Sequence, residues 1–236
     1  LEIVLRERDQ LSGDAEAVAI MNALCPTHQL RREVEGVEED LKVLLPLMEE
    51  HRCSPFMLPL ATLYPGWLQA QRGHLEQGIG MLRRGLAEWS QAWVMWQPLW
   101  KGYLAGALAR AGRVDEGLVV LEEALEQAER TGERWNEAEL HRLKGELLLQ
   151  RGDDPEEVEA CFRQAIEVAQ RQEARSWELR ATTSLARLLR RQGRVPEARE
   201  ALAAIYGWFT EGFDTPDLIE AKRLLEELAQ GEPALA

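Results

Sequence analysis

Charge and composition exclude several classes of protein for this chain. Its 236 residues include 41 acidic and 28 basic side chains, and a net charge of −13 argues against a nucleic-acid partner, which needs a basic surface to neutralise phosphates. Hydrophobic residues at 45% and charged residues at 29% are typical of an ordered protein and exclude a disordered tail.

No apolar run approaches the roughly 18–20 residues of a membrane helix, and no signal peptide opens the chain, so we expect no membrane partner. Its 3 cysteines are too scattered for a disulfide framework, which predicts a cytoplasmic location. Because Leu1 rather than Met stands first, we expect a piece of a longer protein.

The N-terminal part has the weakest pattern. Helices are predicted over residues 15–31 and 36–48, and Pro46 and Pro65 predict kinks or breaks. Cys25 and His28, together with His51 and Cys53, have loop spacings that occur in zinc sites. No further Cys or His supports that set, so we predict no metal and no cofactor.

Tryptophans are concentrated further along the chain. Trp89, Trp93, Trp96 and Trp100 are spaced 4, 3 and 4 residues apart, which places them on one face of a helix. One interpretation is an aromatic surface for a peptide or small ligand, formed by Trp67, Trp93, Trp96 and Trp100. The other, which we favour because Pro98 interrupts the face, is a core between helices. The remaining residues Trp135, Trp177 and Trp208 are interpreted as packing residues near helix ends.

A repeat is the most informative feature of the sequence. Glycines at positions 73, 112, 152 and 193 recur at spacings of 39, 40 and 41 residues, which indicates stacked supersecondary units. Seven residues before each glycine stands a small residue, namely Gly66, Ala105, Gly145 and Ala186. Apolar residues follow at helical spacing, and Asp154-Pro155 and Thr215-Pro216 are typical helix starts. Each unit is therefore predicted to be a helix, a glycine turn and a second helix.

These patterns predict an all-α helical-repeat solenoid without a sheet. We expect a single domain over residues 1–236, with about eleven helices in antiparallel pairs. The predicted units are residues 13–53, 54–95, 96–132, 133–173 and 174–212, followed by a cap helix over residues 215–230.

The offsets of the small residue, the glycine and the following Ala and Leu or Phe resemble the tetratricopeptide repeat. Residues 132–149 (GERWNEAELHRLKGELLL) and 206–218 (YGWFTEGFDTPDL) are similar to the C-terminal repeat region of bacterial STAND/AAA-type ATPases. Such proteins often carry class III adenylate or guanylate cyclase domains, so the resemblance implies a module of a bacterial signalling protein.

The resemblance further implies that the first helix of each pair lines a concave groove. The matching positions include Arg110, Glu139, Arg142, Glu146, Arg180, Arg187, Arg190 and Arg191. Arginines there would form a positive patch for carboxylates or phosphates, because guanidinium presents a bidentate fork. The alternative is a solvated helix face whose arginines pair with Glu139 and Glu146.

Catalytic motifs are absent from the sequence. The glycine-rich residues 73–80 contain no Lys followed by Ser or Thr, and no nucleophile, base and metal set is visible, so we predict no enzyme.

We expect a scaffold that binds a protein or peptide, acidic in character, or neighbouring domains of the same chain, and homo-oligomers are compatible with this. The alternative is a small-ligand sensor that regulates an attached ATPase or cyclase.

Overall fold

Helices account for all of the regular structure in the described part of the chain. The computed structural model describes residues 19–50, 58–89 and 95–230. Within these ranges it contains eleven α-helices, one π-helical turn and no strand, which confirms the all-α prediction. The described residues form two compact units, the first ending at Ala111 and the second beginning at Gly112.

The first unit contains five α-helices among its described residues. They follow a π-helical turn at Ile20–Leu24 and are α1 (Cys25–Leu30), α2 (Val34–Glu50), α3 (Leu60–Gln71), α4 (Leu75–Glu88) and α5 (Gln97–Arg110). The predicted breaks at the prolines do not occur, because α2 continues through Pro46 and α3 through Pro65. In α3, burial of Leu63, Tyr64 and Trp67 offsets the backbone hydrogen bond that Pro65 cannot make.

The second unit contains six helices among its described residues. They are α6 (Val114–Thr131), α7 (Glu137–Arg151), α8 (Pro155–Arg171), α9 (Arg175–Arg191), α10 (Val195–Tyr206) and α11 (Pro216–Gln230). Two pairs, α7 with α8 and α9 with α10, pack as hairpins, and α11 packs on both α9 and α10. The last helix therefore lies where the predicted cap helix was expected.

The repeated glycines adopt the backbone conformation that their position predicts. Values of φ are +88° at Gly73, +77° at Gly112, +90° at Gly152 and +80° at Gly193. A residue without Cβ adopts this left-handed conformation at little cost, and it reverses the chain directly after a helix.

Small residues before those turns allow the two helices of a pair to approach closely. A Cβ atom placed on Gly145 of α7 would lie 2.6 Å from Cε1 of Phe162 in α8. In the first unit, a Cβ on Gly66 of α3 would lie 2.9 Å from Cβ of Met81 in α4. Ala105 and Ala186 are completely buried.

One of the two predicted helix caps forms. The Asp154 side chain accepts a hydrogen bond of 2.9 Å from the Glu156 amide, as an N-cap should. The Thr215 hydroxyl instead donates to the carbonyl oxygen of Gly212 at 2.7 Å, so it stabilises the preceding turn.

The first helices of successive pairs form a row in the second unit. Close backbone packing joins α7 to α9 and α9 to α11. Among the described residues α8 and α10 lack such packing, although ion pairs such as Arg163 with Glu197 connect them. The resemblance to the tetratricopeptide repeat implies that first helices line the groove, so this row is the part of the second unit where the groove is predicted.

Candidate functional site

The row of first helices carries most of the charged residues that the sequence singles out. Arg142 of α7 donates to both oxygens of Glu139, from Nε at 2.7 Å and Nη2 at 2.8 Å. Its Nη1 lies 3.3 Å from Glu146 and 3.4 Å from the Ser184 hydroxyl of α9. Burial disfavours the charged form of Arg142, but the carboxylates of Glu139 and Glu146 outweigh it and raise its pKa.

Arg180 of α9 connects both neighbouring helices. Its Nη1 lies 3.6 Å from Glu139 of α7, and its Nε donates to Asp217 of α11 at 3.0 Å. The guanidinium also lies over the ring of Trp177, with 4.7 Å between Cζ and the ring centroid. Only 11% of the Arg180 side chain is exposed, so its charge is held by these contacts.

Arginines in the second half of α9 contact the acidic side of α11. Arg187 pairs with Glu220, and Arg190 pairs with Glu227. Arg191 is exposed and forms no ion pair with another described residue. In the row defined by Arg142, Arg180, Arg187, Arg190 and Arg191, the first four therefore pair with carboxylates of the chain, while Arg187 and Arg190 stay partly exposed.

Arg110 belongs to the first unit and has a different environment. It donates to Gln71, with Nη1 3.4 Å from the side-chain oxygen and Nη2 3.5 Å from the backbone carbonyl. Its partner is thus a neutral residue at the end of α3.

Two of the four tryptophans of the aromatic interpretation lie in the core. Trp67 and Trp100 are only 2% and 1% exposed. The Trp100 ring packs edge-on against Tyr64 at 4.9 Å and Tyr103 at 5.7 Å between centroids. Trp96 precedes α5 with φ of +72°, and Trp93 lies outside the described residues. The burial of Trp67 and Trp100 leaves little of either indole for a ligand.

Two tryptophans differ from their predicted packing role. Trp135 is 36% exposed. Trp208, just after α10, is 58% exposed and was not predicted as a surface residue. It borders a cleft of about 380 Å³ between α8, α9 and α10. The available signal was its position in the run Gly207-Trp208-Phe209, near the end of the predicted unit 174–212 and before the predicted cap helix.

Two of the four candidate zinc ligands converge on a carboxylate. His28 Nδ1 lies 2.8 Å from the buried Asp40 side chain, and burial together with Asp40 raises the pKa of the Cys25 thiol. A raised thiol pKa disfavours the thiolate that a metal requires. His51 and Cys53 lie outside the described residues, and among the described ones no three such groups are placed to hold a metal ion.

Paired helices, left-handed glycine turns and a row of first helices define a helical-repeat fold of the tetratricopeptide type. Residues 98–171 match the tetratricopeptide-repeat family. The match supports a tetratricopeptide-repeat region over these residues, which are less than half of the chain. In the described ranges, no helix is long and apolar enough to span a bilayer.

Solved structures show the same fold at low sequence identity. The chain is similar to BtubC (BKLC) from P. vanneervenii, with a TM-score of 0.63 and 19% identity, over 85% of this chain and 83% of that one. A thermophilic TPR protein of Thermus thermophilus matches with a TM-score of 0.60 and 20% identity, over 88% of this chain and 100% of that one. Putative kinesin light chain TPR-like repeats of Podosopora anserina match with a TM-score of 0.57 and 19% identity, over 75% of this chain and 88% of that one.

A sequence relative is much longer than this chain. An uncharacterised protein of Rhizobium meliloti (strain 1021) is 31% identical over 129 residues, which are 54% of this chain and 12% of that protein. The chain thus spans about an eighth of the length of the curated relative that it matches.

Proposed function

We propose that this chain is a non-catalytic protein-binding module of a larger bacterial signalling protein. The observation that carries the proposal is the row of first helices, α7, α9 and α11, in a fold of tetratricopeptide type. Stacked helix pairs present a long continuous surface for their mass, which suits recognition of an extended segment. The relation to STAND/AAA-type ATPases and nucleotide cyclases is part of the proposal, and it rests on the resemblance of residues 132–149 and 206–218.

The proposed partner is acidic and binds the arginine row. Carboxylates of α11 already contact Arg187 and Arg190, which supports the ability of α9 to receive an acidic helix or peptide. The side chains of Arg187 and Arg190 are 32% and 42% exposed, and each guanidinium has five N–H donors. A carboxylate of the partner can therefore replace the α11 carboxylate that each arginine contacts, or bind the same guanidinium beside it. Arg191 is exposed beside them and would contribute attraction at longer range.

The alternative function is a small-ligand sensor that regulates an attached ATPase or cyclase. Its main support in the sequence is the aromatic surface, and the burial of Trp67 and Trp100 weakens it. We therefore favour the protein-binding function.

Selection of acidic peptides tests the proposal. A random peptide library displayed on phage is selected against the immobilised chain, and enriched peptides are measured by fluorescence anisotropy at low and high salt. We expect acidic peptides whose affinity falls with salt, because screening weakens exposed charge pairs. The double variant Arg187→Glu/Arg191→Glu should abolish their binding without changing the circular dichroism spectrum.

The matched control is Arg83→Glu/Arg84→Glu, which makes the same change of charge at two exposed arginines of α4. Equal loss of affinity in the two double variants would show that only net charge matters and would refute the arginine row as the binding surface. Enrichment of neutral or basic peptides would refute the acidic partner.

A further inference from the structure

A cleft on the opposite side of α9 from the arginine row offers a second surface. Its walls are α8 and α10, and α9 forms its floor, with a volume of about 380 Å³. Three residues of α9 form the floor, namely Glu178, Thr182 and Leu185. Successive residues of a helix are turned by ~100° around its axis, which places these three on the side of α9 opposite Arg180 and Arg187. A molecule in the cleft would therefore not contact the arginine row.

Apolar groups line most of this cleft. Ile166 of α8 faces Ala201 and Ala204 of α10, and Leu185 lies at the floor. Trp208 also lines the cleft, and more than half of this residue is exposed to solvent. A large exposed indole beside a concave apolar surface is a common feature of protein-interaction sites, because it provides much contact area with little side-chain entropy to lose.

The charged groups of the cleft favour an anionic partner. Arg163 and Arg175 line it with 51% and 35% of their side chains exposed. The acidic lining residue, Glu178, is 8% exposed and faces inward, where it accepts hydrogen bonds from Arg175 at 2.6 Å and from Gln170 at 2.8 Å. Arg163 is already paired with two carboxylates, those of Glu159 and Glu197, so Arg175 is the guanidinium of the cleft that can offer further N–H donors to an anion.

Arg175 and Trp208 are already arranged as a pair. The Arg175 Cζ atom lies 5.6 Å from the centroid of the Trp208 ring. This contact restricts both side chains, so an incoming carboxylate would meet a guanidinium whose position is partly set in advance.

We infer that the cleft binds a short peptide segment of a partner protein, which inserts one bulky apolar side chain against Ile166 and Trp208 and places a carboxylate at Arg175. The inference rests on the proposed protein-binding function and adds a second binding surface to it. The volume lies near the lower end of the range for ligand sites, about 300–1,000 Å³, which suits one or two side chains rather than a whole helix.

Synthetic peptides of defined chemistry test this inference on the full chain. The probes are acetylated octapeptides in which Leu, Phe or Trp is flanked by Asp and Glu, with controls that replace the apolar residue by Ser or the acids by Lys. Binding is followed by the indole N–H resonances of the ¹⁵N-labelled chain, and a Trp208→Phe variant assigns the Trp208 signal. We expect the acidic apolar peptides alone to shift that signal.

Two neighbouring alanines of α10 provide a matched pair of variants. Ala204 and Ala203 are both exposed, but only Ala204 lines the cleft. Ala204→Glu should weaken binding by at least about tenfold through bulk and like charge, whereas Ala203→Glu should leave the dissociation constant unchanged. If Ala204→Glu lowers helical content, Trp208→Ala replaces it as the test, with Trp135→Ala as its control.

Several results would overturn the inference. These are no shift of the Trp208 signal by any peptide, equal binding of the Lys controls, or equal weakening by Ala203→Glu and Ala204→Glu. Binding of phenylbutyrate as tightly as the best peptide would assign the cleft to a small acid instead. Peptides that lose affinity only with Arg187→Glu/Arg191→Glu would refute the cleft while leaving the proposed function intact.

Discussion

At the scale of single residues, Arg180 shows how a buried charge is stabilised in this fold. Its guanidinium lies between the carboxylates of Glu139 and Asp217 and over the ring of Trp177. A charge that is only 11% exposed would be costly without such partners, because burial removes its hydration. The same contacts connect three first helices, so one side chain links α7, α9 and α11.

Two glycines of α4, Gly78 and Gly80, differ in the space available for an added side chain. A Cβ on Gly78 would lie 2.7 Å from the Ala70 amide nitrogen and from the Gly66 carbonyl oxygen of α3, whereas a Cβ on Gly80 would meet no atom within 4 Å. Gly78→Ala should therefore lower the free energy of unfolding by about 1–3 kcal/mol. Gly80→Ala should raise it by roughly 0.5–1 kcal/mol, because alanine favours the helix.

Urea denaturation monitored by circular dichroism measures both changes. The two variants add the same methyl group two residues apart, so any difference between them reports the α3–α4 contact. Equal stability of the two variants would contradict the close approach of these helices.

At the scale of secondary-structure elements, α9 has two faces with different partners. One face carries Arg180, Arg187 and Arg190 toward carboxylates of the neighbouring first helices. The other forms the floor of the cleft between α8 and α10. A central helix that contacts neighbours on both sides can support two binding surfaces without a change in the fold.

The α7–α8 pair depends on the absence of a side chain at Gly145. Gly145→Leu should push Phe162 out of its position and lower the free energy of unfolding by about 1–3 kcal/mol, because a full side chain cannot fit where one Cβ would lie 2.6 Å from the ring. Ala186→Leu should act similarly in α9, because Ala186 is completely buried. Thermal unfolding measures both effects.

The control for these two variants is Ala160→Leu, which places a leucine on the exposed side of α8. We expect it to unfold at nearly the temperature of the unmodified chain. A Gly145→Leu variant as stable as Ala160→Leu would show that the small residue is not required at the repeat interface.

At the scale of the whole molecule, ion pairs between helices hold several carboxylates of the second unit in their charged form. Arg163 of α8 donates to Glu197 at 2.9 Å, and Arg194 donates to Glu159 of α8 at 2.6 Å. Hydrogen bonds from Arg194 lower the pKa of Glu197. Burial raises the pKa of Glu159, but hydrogen bonds from Arg194 and Arg163 outweigh that effect and lower it.

Acid should therefore destabilise the chain. The folded state binds protons at Glu159 and Glu197 more weakly than the unfolded state does. The contribution of these carboxylates to the free energy of unfolding is therefore fully present above their ordinary pKa of about 4.5. It is lost as the pH falls through their lowered pKa values. Urea denaturation from about pH 7 to about pH 3 should show this loss. In the Glu159→Gln variant the free energy of unfolding should decrease less between these two pH values. An equal decrease in the variant and the unmodified chain would show that the ion pairs of Glu159 do not cause the loss of stability in acid.

The local parts of the fold follow from the sequence. The recurrence of Gly73, Gly112, Gly152 and Gly193 predicts the turns, and the apolar spacing between them predicts the helices. Both signals act within a few residues of the chain, since helix periodicity and a left-handed turn depend on neighbours in sequence. The Asp154 cap is predictable for the same reason.

Contacts between distant residues were decided only by the tertiary structure. The partners of Arg187 and Arg190 stand 33 and 37 residues further along, and their identity depends on how α11 is rotated against α9. The same applies to tryptophan: Trp100 is buried and Trp208 exposed, although both were interpreted as packing residues. A sequence pattern specifies which face of a helix is apolar, but the side chain that covers that face is set by the packing of whole helices.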